Sequence, residues 1–291
     1  ILDPFNDGSI SSEIYPDMPQ YPYGLASGMV SSFVVEPIVT TAPLSSKPEK
    51  EDLVIYEILL RDFVHPHSYA VLQDTLDYLQ RLGINAIQLM PVQEFEGNEG
   101  WGYNPSYHMA LDKDYGSADA LRALVEECHS RGMAVILDVV YNHAFGQSPL
   151  ALLYWDGAQN RPAANNPWLN PIPKHDFNVG NDFNHESPAT KYFVKRVISW
   201  WMQTYGIDGF RFDLASGFTQ RNSLGNFNEW ARYDTSRINN IQEYADLMWS
   251  IDPESYVILE NFVDNSERKE LSSRGMMLWG NMTNAYGQAS K

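Results

Sequence analysis

Between Leu53 and Asn281 the chain alternates strand-like and helix-like segments without a break in the rhythm. This alternation constrains the fold more than any other feature. "LVIYEILL" (53–60), "INAIQLMPV" (84–92), "MAVILDVV" (133–140), "IDGFRFDLA" (207–215), "SYVILENF" (255–262) and "MMLWGN" (276–281) read as strands. Between them, "SYAVLQDTLDYLQRLG", "SADALRALVEECHSRG", "PATKYFVKRVISWWMQTYG", "TSRINNIQEYADLMWSID" and "SERKELSSRG" read as helices. Ser117 is placed as an N-cap, and Gly83 and Gly132 as helix stops. Nearly continuous apolar strands are buried on both faces, as in a parallel sheet covered by helices. A doubly wound sheet and a closed α/β barrel of the (β/α)8 type both satisfy that pattern. No glycine-rich phosphate loop follows the first strand, which disfavours a nucleotide-binding Rossmann domain. Polar residues gather at the C-terminal ends of the strands, where barrels place their chemistry.

Charge narrows the partners. With 37 acidic and 20 basic residues the net charge is −17, and the basic residues are scattered. That excludes the basic patch of a nucleic-acid binder and suits a neutral substrate. The apolar runs end well short of the roughly 18 residues of a membrane-spanning helix. Cys128 is the only cysteine, so no intrachain disulfide forms; its helical setting makes it a core thiol. Residues 1–50, rich in Pro, Ser, Gly and Tyr, read as a linker or the remnant of an upstream domain, with the barrel at 51–291.

Strand parity then places the charges. Side chains alternate faces with period two, so Phe210 and Phe212 share one face while Arg211 and Asp213 share the other. Asp138 falls on the face of Ala134 and Ile136, and Glu260 on that of Tyr256 and Ile258. Three strands therefore each end in an inward carboxylate, with Arg211 as their one strand-borne cation. Buried ion pairs seldom improve stability over apolar pairs. Two carboxyl groups facing one cleft suit glycoside hydrolysis, one attacking the anomeric carbon and the other protonating the leaving oxygen. Arg211 is placed to keep Asp213 ionised, whereas Glu260 has no cation adjacent in sequence and is expected to keep its proton.

"DVVYNH", "GFRFD" and "VILEN" resemble three ordered motifs of the alpha-amylase family of glycoside hydrolases, and "WGYNP" resembles that family's sugar-stacking loop. The resemblance runs over about residues 51–291 and implies a (β/α)8 barrel of which about six βα units are present. It implies a retaining hydrolase of starch-like α-glucans working through a covalent glycosyl-aspartate. A glucan branching enzyme or other transglycosylase would carry the same motifs; a non-catalytic glucan-binding homologue, binding sugar through Tyr103, Trp101 and His143, is the other alternative, against which the intact Asp213 and Glu260 argue. By resemblance, Asp213 is the nucleophile, Glu260 the acid/base and Arg211 the residue that holds the nucleophile ionised. His143, Tyr103, Trp101 and Asp138 are the substrate-binding and bracing residues, and Asn142 matches a ligand of a structural calcium. No cofactor is implied for the chemistry. An extracytoplasmic location is implied, and the opening "ILDPFN" resembles the end of a preceding β-sandwich.

The chain departs from the pattern twice. Ser216 and Gly217 stand where the family often has Lys and His, which weakens the expectation of calcium. The His-Asp motif that carries the family's third catalytic acid does not follow "MMLWGN". The expectation is therefore a parent protein that continues past Lys291 and supplies the last two strands and that aspartate.

Overall fold

A computed structural model describes residues 39–97 and 99–280, with short pieces at 13–14, 18, 20–21, 23–25 and 287–289. Six strands form one sheet in sequence order: β1 (Ile55–Ile58), β2 (Ala86–Leu89), β3 (Ala134–Val139), β4 (Gly209–Phe212), β5 (Tyr256–Leu259) and β6 (Met277–Leu278). Every neighbouring pair is parallel. The sheet curls as part of a barrel, and among the described residues β1 and β6 are its open edges. No helix among them is long and apolar enough to cross a membrane.

The two faces of the sheet separate as the period-two reading requires. Ile87, Leu89, Val135, Leu137, Val139, Phe210, Phe212, Val257 and Leu259 pack outward in the main core with the helices. Ala86, Ala134, Ile136, Tyr256 and Ile258 point inward. Leu44 joins this inner cluster from the N-terminal side and closes the barrel floor.

The covering helices are α1 (Tyr69–Asp74), α2 (Leu76–Arg81), α3 (Ala118–Ser130), α4 (Pro188–Tyr205), α5 (Thr235–Ile251) and α6 (Asn265–Ser273). The first helical segment, expected as one helix, breaks at Thr75. The Thr75 hydroxyl donates back to the Leu72 carbonyl at 2.7 Å and competes with the helical ladder there. Ser117 caps α3 as expected, accepting from Ala120 N at 3.2 Å. α4 opens on Ser187 and Pro188 and stops at Gly206, whose φ of 66° is left-handed. A Cβ at Gly206 would also sit 2.6 Å from the Ala42 carbonyl, so this helix stop admits no side chain. Cys128 is buried in the core, as expected.

Ala42 belongs to a strap that the sequence reading assigned to a linker. Most of residues 1–38 lie outside the described residues, but 41–50 lie along the barrel floor. Leu44 N donates to Asp208 Oδ1 at 2.8 Å, Lys47 Nζ lies 2.7 Å from Asp252, and the Tyr256 hydroxyl donates to the Pro48 carbonyl at 2.6 Å. Asp208 also accepts from Val135 N and faces His129 Nε2, both at 2.8 Å. One buried carboxylate thus joins strap, β3 and α3, and the strap belongs to the barrel.

Candidate active site

Register brings the charged residues together. Arg211 on β4 stands opposite Asp138 on β3 and Ile258 on β5. Its Nη1 reaches Asp138 Oδ1 at 2.9 Å and Oδ2 at 3.2 Å, and Asp213 Oδ1 at 2.7 Å. Its Nη2 reaches Glu260 Oε2 at 2.9 Å. One guanidinium therefore ties the inward carboxylates of three consecutive strands. Three of these residues, Arg211, Asp213 and Glu260, were read from sequence as catalytic and stand together. Asp138 is fully buried beneath them, while the side chains of Asp213 and Glu260 keep 16% and 20% of their surface open.

The turn after Asp213 is specialised. Leu214 takes φ 44° and ψ 45°, a left-handed conformation rare for a residue with a side chain. The turn lets Leu214 N donate to Glu260 Oε2 at 2.9 Å and Ala215 N to the Glu260 carbonyl at 3.0 Å. Backbone after one catalytic candidate thus positions the other.

Burial sets the electrostatics. It pushes the Asp213 carboxyl up to about 7, against Arg211 and with help from the Asp138 and Glu260 charges. It pushes Asp138 up to about 6, opposed by Arg211 and by the Tyr103 hydrogen bond. Burial by itself would lower the Arg211 guanidinium, but the three carboxylates raise it above its ordinary value. Glu260 has no cation adjacent in sequence, yet Arg211 reaches it across the sheet and is shared between both carboxylates. Sequence adjacency could show only the contact with Asp213; the contact with Glu260 spans two strands.

The remaining candidates occupy the rim. The Tyr103 hydroxyl donates to Asp138 Oδ2 at 2.6 Å, so this ring is held in the centre. His143 is buried, and its Nε2 donates to the Tyr103 carbonyl at 2.8 Å, bracing the same loop. Trp101 is 60% exposed on that loop and makes no polar contact with the carboxylates among the described residues. A cavity of about 400 Å³, lined by Arg61, His67, Phe95 and Tyr115 among others, lies behind the loop, away from the carboxylates.

Asn142 is buried below His143, and its Oδ1 accepts no hydrogen bond. A Cβ at Gly217 would sit 1.7 Å from that oxygen and 3.0 Å from His175 Nε2. Glycine at 217 thus leaves the space that the Asn142 carboxamide fills. His175 Nε2 in turn lies 3.5 Å from Asp182 Oδ1, and Asp182 Oδ2 accepts from Asn170 Nδ2 and Lys174 N. Calcium takes six to eight oxygen ligands. An amide oxygen and one carboxylate oxygen facing an imidazole do not fit it, and among the described residues no group of three or more His, Cys, Asp or Glu is arranged to hold a metal ion. The calcium expected at Asn142 has no side-chain cage here. Asp182 and Asn184 serve their loop, Asn184 Oδ1 accepting from Glu186 N and Ser187 N.

Two inward residues escaped the sequence reading. Glu57 on β1 accepts from Gln88 Nε2 at 2.9 Å, and its place on the inward parity of "LVIYEILL" was available as a signal. Trp279, just past β6, lays its ring 4.4 Å from the Arg211 guanidinium carbon. No motif marks it.

The likenesses to known proteins follow this geometry. The family described as alpha amylase, catalytic domain, matches residues 70–150. Malto-oligosyltrehalose trehalohydrolase of Saccharolobus solfataricus is 34% identical over 172 residues, covering 58% of this chain and 28% of that protein. The maize chloroplastic isoamylase SU1 is 34% identical over 207 residues, covering 60% and 26%. The chain thus spans little more than a quarter of the length of these relatives. In structure, Bacillus subtilis pullulanase type I, crystallised with maltose, superposes with TM-score 0.65 over 81% of this chain and 35% of that one, at 24% identity, which bears on fold alone. An Anoxybacillus pullulanase crystallised with maltotetraose gives 0.59 over 76% and 35%, at 26% identity. A parallel sheet that curls as these barrels do, with carboxylates at the inner ends of its third to fifth strands, makes this chain similar to part of the catalytic barrel of the alpha-amylase family.

Proposed function

We propose that the protein to which this chain belongs is a retaining glycoside hydrolase of starch-like α-glucans, with Asp213 as nucleophile and Glu260 as acid/base. The observation that carries the reading is the single guanidinium shared by Asp213 and Glu260 at the barrel mouth. Retaining sites hold their two carboxyl groups about 5–5.5 Å apart, and one shared guanidinium keeps Asp213 and Glu260 close together. The named relatives support the substrate class: an isoamylase, a pullulanase and a trehalohydrolase.

In this reading an α-glucoside enters with its anomeric carbon over Asp213. The Asp213 oxygen attacks that carbon, while Glu260 gives its proton to the departing glycosidic oxygen. Glu260 Oε2 is held by Leu214 N and Arg211, which leaves Oε1 to carry the proton. Glu260 then takes a proton from water as that water displaces Asp213. Arg211 opposes the burial that favours the protonated form of Asp213. Tyr103, fixed by Asp138 and His143, offers the ring on which the sugar stacks; Trp101 extends that surface outward.

The test is a reducing-sugar assay on soluble starch and pullulan with the chain and with Asp213→Asn. Turnover lost in the variant, with its fold unchanged, supports the nucleophile. Near-normal turnover in the variant, or no action of the parent protein on any α-glucan, overturns the reading. Release of reducing ends marks hydrolysis, and new branch points without them mark transfer.

A further inference from the structure

Arg211 does unusual work for one side chain. Its two terminal nitrogens serve three carboxylates, yet its Nε is buried with no hydrogen-bond partner among the described residues. A long side chain bonded only at its tip keeps several torsions to spare. Hydrogen bonds at Nη1 and Nη2 do not by themselves stop the guanidinium plane from tilting towards one carboxylate at the expense of another. Something must hold the plane.

The Arg211 guanidinium carbon lies over the ring of Trp279, 4.4 Å from its centroid and within cation–π range. Its own position is built in. Trp279 N donates to the Leu259 carbonyl at 2.9 Å, carrying the β5–β6 pairing one residue past the end of β6. The indole therefore keeps the inward parity of Met277, which packs with the inner cluster. Trp279 remains 38% exposed, so it is not simply a core residue.

We propose that Trp279 is a positioning residue that clamps the Arg211 guanidinium in the plane from which it serves Asp138, Asp213 and Glu260 together. The inference rests on the reading of Asp213 as nucleophile for its consequence in catalysis, but the clamp itself is a statement about Arg211 and Asp213. With the indole gone, the guanidinium shares itself less well, and Asp213 is left with burial less fully opposed. Asp213 then holds its proton to higher pH.

The decisive measurement is the carbon-13 carboxyl NMR titration of Asp213, its signal identified by its absence in Asp213→Asn. It is recorded in the unmodified chain, in Trp279→Phe and in Trp279→Leu. Phenylalanine keeps a π face and leucine does not. The expected result is a midpoint in Trp279→Leu higher by about half a pH unit, the order a cation–π contact supplies, with Trp279→Phe in between. If the leucine variant does not fold, tetrafluorotryptophan placed at 279 keeps the indole shape and weakens only the π face, and the midpoint should rise in the same direction. In kinetics on soluble starch, the acid limb of kcat should move with the NMR midpoint while KM stays within about twofold. An unmoved Asp213 midpoint in the leucine or fluorinated variant overturns the clamp. So does a rise in KM alone, which would make Trp279 a platform for sugar. The titration needs no turnover, so an Asp213→Asn variant that stays active sinks the nucleophile while leaving the clamp to be decided separately.

Discussion

Arg211 and Asp138 face each other across the β4–β3 pairing, and Arg211 Nη1 lies within 3.2 Å of both Asp138 oxygens. Asp138 also takes the Tyr103 hydroxyl, so it connects the catalytic candidates to the loop that carries Tyr103. Removing Asp138 takes from a buried site one of Arg211's three carboxylate partners and the acceptor of the Tyr103 hydroxyl. Asp138→Ala should therefore cost about 3–5 kcal/mol of stability, read by urea unfolding. Tyr103→Phe removes only the hydroxyl and should cost about 1 kcal/mol. Equal losses in the two variants would show that Asp138 does not carry the ion pair.

Asp213 gives the pH dependence. Its folded pKa is raised from the ordinary carboxylate value to about 7, chiefly by burial. In the proposed mechanism only the ionised form attacks, so kcat/KM should rise with pH through that region, and Arg211→Met should move the limb still higher. Stability runs the other way. Between the unfolded value near 4 and the folded value near 7 the native state holds more protons, so this residue's contribution falls as pH rises. Asp213→Asn should gain in melting temperature over the unmodified chain as pH goes from 4 to 8. A gap that narrows over that range would contradict the sign.

Gly217→Ala tests the space around Asn142. The added Cβ would overlap Asn142 Oδ1 at 1.7 Å, so one residue or the other must move. Overpacking of this kind costs about 1–3 kcal/mol. Shortening the neighbour in the double variant Asn142→Ala, Gly217→Ala should return part of that loss. A double-mutant cycle with no coupling would place the strain elsewhere.

Asp208 tests the floor. It bonds Leu44 N and Val135 N and faces His129 and Lys47. Asp208→Ala should destabilise the chain by about 3–5 kcal/mol, since buried donors lose their acceptor and the nearby cation its partner. The residue lies at the opposite end of β4 from Asp213, so kcat of the folded fraction should hold. A large fall in kcat without a loss of stability would mean the floor is coupled to the site.

Much of the fold was legible because its causes are local. Ser117 and Gly132 announce helix ends within a few residues, and the apolar runs announce buried strands. Parity alone put Arg211, Asp213 and Glu260 on one face. The break at Thr75 was not legible, because it depends on which carbonyl one hydroxyl chooses.

By itself the sequence determined the parallel sheet, its inward and outward faces and the carboxylates at its mouth, since period two and helix caps act between near neighbours. Only the tertiary structure decided how the charges are shared. Arg211 reaches Glu260 and Trp279 through the pairing of β4, β5 and β6, the Leu214 turn aims an N–H at Glu260, and the 41–50 strap finds Asp208 across 164 positions of chain. These contacts join residues far apart in sequence, and their energies depend on burial, which no single segment possesses before the sheet has curled around them.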